Sequence, residues 1–285
     1  MYLVVSFCNT GLPKETPNIC KINVTTQEVT WLPTGEDPKG VTGLAVKDGV
    51  ELFFINQNGT LGAIDLENGE KVYEENIKAF DPHSLLWKGG VLFMVNSGRD
   101  RVAKLEFRND KVFRRDLKWA VSSVEKDTVH LNCLALNKKG QLHVSMFGPK
   151  EGVGWTTSKS GRIFNIDTQQ YLDWGYLYHP HSIKFYDDDL YVCESNAFNI
   201  KKNNEVFLQF ERGYTRGFDM YGGYFAVGFS SGRNTSKSTG ETNDSVDTET
   251  LCKVQFYKTD GKKMIWEMDF SQFGKKEIYD IIILP

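Results

Sequence analysis

Six residues of types suited to acid–base, metal or anion chemistry stand at matching points of a repeating pattern: Thr42, His83, Asn132, His181, Arg216 and Tyr279. Their spacings are 41, 49, 49, 35 and 63 residues, and 48 from Tyr279 through the termini back to Thr42. His130 and His179 stand two residues before Asn132 and His181, which the period of two of a strand places on the same side. Four of the five histidines therefore fall at one predicted rim, and the fifth, His143, lies in a different strand. Imidazoles from His83, His130 and His181 suit a divalent ion such as Zn²⁺, Mn²⁺ or Ca²⁺ with positions left open for water and substrate. Arg216 suits a carboxylate, phosphate or sulfate. Tyr279 or a spare histidine suits proton transfer, and Asn132 suits orienting a ligand. As a rim side chain, Arg216 is expected to add little to core burial. Loops at the same rim carry Asn96, Arg99, Ser195 and Arg233, and a longer loop carries Trp155, whose ring suits the flat face of a sugar. The plainer alternative for all of them is hydrogen bonding to ordered water and to strand-end backbone.

The elements that must position these residues are strands. Apolar runs are short and broken by Gly, Asn and Asp, with no long stretch at helical spacing. A unit of two apolar strands around a turn recurs: Thr42–Val46 with Glu51–Asn56, His83–Trp87 with Val91–Asn96, Asn132–Leu136 with Gln141–Ser145, His181–Phe185 with Asp189–Cys193, and Arg216–Met220 with Gly223–Gly228. A third strand and a more polar fourth follow. This is the four-stranded antiparallel blade of a β-propeller. The C-terminal run Ile278–Ile283 reads as a first strand without a second, and Tyr2–Cys8 as a second without a first. The termini therefore share one blade, and the ring closes at six. The expected blades are 276–285 with 1–35, 36–78, 79–118, 126–174, 178–211 and 212–272, as one domain over 1–285. The competing all-β architecture, a two-sheet sandwich, predicts no chain-wide repeat. The Ser/Thr/Asn/Gly-rich stretch 231–250 reads as a flexible loop at the same rim, with a lid as its functional reading.

Composition narrows the function. Lys and Arg total 34 against 37 Asp and Glu, a net charge of −3. This argues against nucleic acid and acidic membrane surfaces as partners. No apolar run approaches the roughly 20 residues that span a bilayer, and the first residues lack the pattern of a signal peptide. The five cysteines contain no CxxC pair, so reduced thiols in the cytoplasm are expected. Four N-x-S/T sequons, beginning at Asn23, Asn58, Asn234 and Asn243, then read as chance loop chemistry. No nucleophile elbow, P-loop or dinucleotide fingerprint is present.

Four ordered blocks carry a family resemblance: His130–Leu136, Pro180–Ser182, Tyr191–Ser195 and Gly213–Gly217, with Val227–Ser230 and Trp155 in support. They resemble the signature blocks of a family of propeller proteins catalogued as conserved hypothetical proteins and as a domain of unknown function. The resemblance spans roughly residues 80–235 and implies a propeller without implying a reaction. It departs from the family pattern at Cys133, where a glycine is usual, and at Lys184, where an arginine-type residue is usual. The rim is more loosely similar to that of six-bladed metal lyases such as the peptidylamidoglycolate lyase, in which histidines from several blades hold zinc beside Arg and Tyr. The resulting expectation is a metal-assisted lyase or hydrolase acting on an anionic small molecule or glycan. Its rival is a non-catalytic propeller binding a peptide, glycan or protein at the same rim.

Overall fold

The computed structural model describes residues 1–9, 17–35, 39–108, 111–231 and 251–285. Strands β1 (Tyr2–Cys8), β2 (Ile19–Asn23) and β3 (Val29–Leu32) belong to blade 1. Blade 2 is β4 (Val41–Lys47), β5 (Glu51–Asn56), β6 (Thr60–Asp65) and β7 (Lys71–Asn76). Blade 3 is β8 (Pro82–Lys88), β9 (Val91–Asn96), β10 (Arg101–Arg108) and β11 (Lys111–Ala120). Blade 4 is β12 (Leu131–Leu136), β13 (Leu142–Met146), β14 (Arg162–Asn165) and β15 (Gln170–Tyr171). Blade 5 is β16 (Pro180–Tyr186), β17 (Asp189–Glu194), β18 (Asn199–Lys202) and β19 (Glu205–Gln209). Blade 6 is β20 (Tyr214–Tyr221), β21 (Tyr224–Ser230), β22 (Cys252–Lys258) and β23 (Lys263–Asp269). The last strand, β24 (Glu277–Leu284), pairs antiparallel with β1 and completes blade 1. The fold is a six-bladed propeller whose terminal strands share a blade, as the split repeat requires.

Alternation decides which faces are buried. In β1 the residues Leu3, Val5 and Phe7 pack toward blade 6, among Phe256, Trp266, Phe270 and Ile281. Val4, between them, turns toward blade 2 and packs with Val41, Leu44, Leu52 and Phe54. Every blade thus offers an apolar face to each neighbour. The outer strands pack on little and stay polar: β7 reads Lys-Val-Tyr-Glu-Glu-Asn with no fully buried residue.

At the centre the blades are stitched by side chains. Thr42 Oγ1 donates to the Pro82 carbonyl at 2.6 Å, and Ser84 Oγ accepts from Leu134 N at 3.2 Å. Cys133 Sγ accepts from Ser182 N at 3.0 Å, and Ser182 Oγ from Gly217 N at 2.9 Å. Asp219 Oδ2 accepts from Ile283 N at 2.8 Å, and Asp280 Oδ2 from Leu44 N at 3.1 Å. Every junction between consecutive blades carries such a bond. Five of them satisfy backbone donors, and the Thr42 hydroxyl a backbone acceptor, that inner strands do not satisfy within their own sheets. The stretch expected as a flexible loop, 231–250, lies outside the described residues except for Ser231.

Ring closure is directly testable. Removing residues 277–285 should leave β1 without its inner partner and uncover the apolar face shared with blade 6. Circular dichroism melting and gel filtration are expected to show loss of the cooperative transition and aggregation. A truncated chain that stays monomeric with an unaltered melting temperature contradicts the closure.

Candidate functional site

The six repeat positions open the six inner strands, and the residues two places earlier form a second tier. That earlier tier is Gly40, Asp81, His130, His179, Tyr214 and Glu277. Asp81, His130 and His179 adopt left-handed φ values of 48°, 52° and 55°. A pleated strand therefore does not link the two tiers here; a kink before the inner strand does. Such a conformation costs a non-glycine residue roughly 1 kcal/mol. At the matching position of blade 2 stands Gly40, also at positive φ, where a Cβ would meet the Phe7 carbonyl oxygen at 2.3 Å. The tier consequently has no side chain at blade 2, and its polar groups run from blade 3 round to blade 1.

The described contacts join most of the expected residues into one buried group. The His83 and His130 rings meet edge to face with centroids 4.6 Å apart, and His83 meets Tyr279 at 5.4 Å. Asn132 Nδ2 donates to His83 Nδ1 at 3.2 Å. Arg216 donates from Nε to His181 Nε2 at 3.1 Å and from a terminal nitrogen to Glu277 at 3.2 Å. Its guanidinium lies 4.8 Å from the Tyr279 ring centroid. Phe147 stacks on His179 at 4.5 Å and meets His181 edge-on, linking blades 4 and 5. Trp155, in a 3₁₀ turn, stacks on His130 at 4.6 Å, with Lys150 Nζ 4.2 Å from the indole.

Other expected residues have partners outside this group. Thr42 holds the Pro82 carbonyl. Asn96 Oδ1 accepts from Phe80 N at 3.0 Å. Arg99 pairs with Glu125 at 3.2 Å and covers the Phe80 ring. Ser195 touches the group by holding His181. Arg233 lies outside the described residues.

Hydrogen bonds assign the tautomers. Ser195 Oγ donates to the Thr215 carbonyl at 2.5 Å, so it accepts from His181 Nδ1–H at 2.7 Å. His181 Nε2 is then the acceptor that Arg216 requires, and both ring nitrogens are engaged. Burial, with the Arg216 charge beside it, holds the His181 pKa well below the usual range, so the ring is neutral. His130 Nδ1 faces Asp127 at 3.1 Å. It therefore donates there and leaves Nε2 as the nitrogen that could face a ligand, the carboxylate–histidine arrangement of metal sites. His83 Nε2 lies 3.4 Å from Asp81. Burial lowers the His83 pKa despite this carboxylate. Burial raises the Asp81 carboxyl, but the His83 and His130 rings and the Gln57 amide outweigh it and keep Asp81 ionised. Burial also depresses His179 to about 4 and raises Tyr279 well above the usual phenol range. The Tyr279 hydroxyl and His179 Nε2 are buried without a hydrogen-bond partner among the described residues.

One set of ligand atoms gathers tightly. Asp81, His83 and His130 each offer one, all within 4.8 Å of one another. His181 is not in this set; its nitrogens serve Ser195 and Arg216. Asp81, Tyr214 and Glu277 were missed by sequence reasoning that applied the two-residue offset to histidines alone. Applied to every repeat, the same offset finds all three.

Residues 117–285, more than half of the chain, match the family described as Domain of unknown function (DUF4915). The chain belongs to the DUF4915 family. The match covers the end of blade 3, blades 4 to 6 and β24, and so includes His130, His181, Arg216 and Tyr279 but not Asp81 or His83. No curated protein matches. Two solved structures share the fold. A chain of a nidogen/laminin complex aligns with a TM-score of 0.66 at 14% identity, covering 100% of this chain and 99% of its own. A protein of unknown function from Bacteroides caccae aligns with a TM-score of 0.65 at 16% identity, covering 98% and 97%.

Arg216 is buried in an ion pair, contrary to the sequence expectation of a rim side chain that adds little to burial. Arg216→Met should destabilise the protein by about 3 kcal/mol in denaturant titrations, because a buried ion pair loses one of its partners. Arg216→Met combined with Glu277→Gln should recover most of this. A single variant as stable as the parent contradicts the pairing.

Proposed function

We propose that DUF4915 in this chain is a metal-dependent propeller, with Asp81, His83 and His130 holding one divalent ion. The observation that carries the reading is the convergence of three ligand atoms within 4.8 Å, one of them on an imidazole already oriented by Asp127. Charge supports it. The Asp81 and Asp127 carboxylates stand beside the His83 and His130 rings, where a cation would be favoured. Two histidines and a carboxylate suit Zn²⁺ or Mn²⁺ better than Ca²⁺, which prefers oxygen. For His83 to ligate through Nε2, its proton must sit on Nδ1, and Asn132 must present its amide oxygen there instead of its nitrogen.

The ion would act as a Lewis acid on an anionic small molecule or glycan, in the manner expected of a lyase or hydrolase. Arg216 would neutralise developing negative charge, with Glu277 and His181 fixing its plane. The Tyr279 phenol, neutral and buried, would donate a hydrogen bond or proton to the reacting group. Trp155 would flank the entry beside His130. The looser likeness to metal lyases points the same way. We further place the protein in the cytoplasm. No helix among the described residues is long and apolar enough to cross a membrane, which leaves compartment open; the five thiols support a reducing one.

A second reading, recognition of a protein at the same rim, draws on Phe80 and Tyr178. Both are exposed and both stand three residues before the inner-strand repeat position. A chain of this fold occurs in a nidogen/laminin complex.

Protein loaded with Zn²⁺ or Mn²⁺ and then dialysed should retain about one ion per chain by elemental analysis. His83→Ala and His130→Ala should abolish retention while keeping the strand signature in circular dichroism. Asp127→Asn should weaken affinity by about 10–100-fold. No retained ion, or retention indifferent to both histidines, would hand the rim to the second reading.

A further inference from the structure

The inner strands enclose a cavity of about 440 Å³, within the size range of small-molecule sites. Its lining starts at His83 and Tyr279 and continues along the inner strands to Val46, Trp87, Leu136 and Phe185. It therefore extends away from the metal-ligand tier toward the opposite end of the ring. The wall is mixed: it is built on apolar strands, but side chains such as Leu44, Leu85, Leu134, Ile183 and Ile281 pack between blades. Two charged side chains line it, Lys184 and Asp280.

These two do not neutralise each other. Lys184 Nζ is bonded to Asp219 Oδ1, so that pair is balanced by itself. Asp280 accepts from Leu44 N at 3.1 Å and Ile281 N at 2.9 Å, both neutral donors. The cavity wall therefore carries one acid for which the described residues supply no salt-bridge partner. A second observation is independent of charge. Tyr279 lines the same cavity, and its hydroxyl is buried with no hydrogen-bond partner among the described residues.

We infer that the central cavity binds a small organic cation, an ammonium with a compact apolar body, with its head on Asp280 and its body against the cavity wall. An anion would have to take Lys184 from Asp219 and stand against Asp280. A neutral molecule would gain only the apolar contacts. An ammonium gains the carboxylate and a hydrogen bond to the Tyr279 oxygen. Burial raises the Asp280 pKa to about 7, with Asp219 adding to the rise and Lys184 opposing it. The groups facing Asp280 are Lys184, Asp219 and Cys133. Attraction to Asp219 and Asp280 outweighs burial and raises the Lys184 pKa above its usual value, and burial takes Cys133 up to about 12, so neither changes charge near neutrality. Ammonium binding must displace the Asp280 proton at low pH. Affinity should therefore rise from about pH 6 to about pH 8 and level off above.

The inference does not rest on the metal reading and is tested on chelator-treated full-length protein. Calorimetry and thermal shift compare phenethylamine with its near-isosteres 3-phenylpropionate and 2-phenylethanol. One phenethylamine per chain should bind and raise the melting temperature, and the other two should not. Asp280→Asn should weaken the amine about tenfold or more. Lys184→Met, which leaves Asp219 and Asp280 unopposed, should strengthen it by a similar factor. The inference is overturned if the carboxylate or the alcohol binds as well as the amine, if no probe binds at millimolar concentration, or if folded Asp280→Asn binds unchanged. Should Asp280→Asn fail to fold, weaker or unchanged amine binding in Lys184→Met overturns it equally.

Discussion

Everything at the centre of this molecule depends on the pairing of β24 with β1. Leu3 opposite Ile283 and Val5 opposite Ile281 close the ring through ordinary antiparallel bonds. Once closed, six inner strands must start at a common height around a common axis, and the side chains at five of the starts, all but Thr42, meet one another. The junction bonds from Thr42, Ser84, Cys133, Ser182, Asp219 and Asp280 then fix the spacing between neighbours. A histidine in blade 3 and a tyrosine 196 residues away in the sequence meet at 5.4 Å for this reason alone.

The fold was legible because its signal is redundant. A turn-separated pair of apolar runs recurs five times, and the incomplete run at each terminus can be completed only by the other. The gathering of His83, Asn132, His130, His181, Arg216 and Tyr279 was legible for the same reason. The internal arrangement of the group was not. Sequence does not say that Ser195 spends its proton on the Thr215 carbonyl and so commits both nitrogens of His181, nor that Asp127, in an irregular loop, reaches His130. It also gives no measure of depth: Arg216 reads as a rim residue by position, yet Glu277 and Tyr279 bury it. Asp81 shows a different failure. Its carboxylate precedes Pro82-His83 as His130 precedes Leu131-Asn132, but an aspartate before a proline also reads as turn chemistry.

Two physical regimes meet at the tier. On the side of Asp81 and His130, carboxylates stand beside imidazoles, and three potential ligand atoms lie within 4.8 Å of one another. On the side of His181 and Arg216, every nitrogen with a described bond is committed, and the geometry is rigid rather than receptive. The division follows the repeat, since Gly40 leaves blade 2 without a side chain in the earlier tier and blade 3 supplies Asp81 beside that opening. Left-handed backbone at Asp81, His130 and His179 is a standing cost, of the kind that the surrounding packing must offset.

The measurement that tests this account most directly is an anomalous-difference map from crystals grown with zinc, recorded on both sides of the zinc absorption edge. The account predicts one strong peak, bonded to Asp81, His83 Nε2 and His130 Nε2 at ordinary zinc–ligand distances of roughly 2.0–2.2 Å. A map with no peak at that point, while the three side chains keep the positions described, would contradict it.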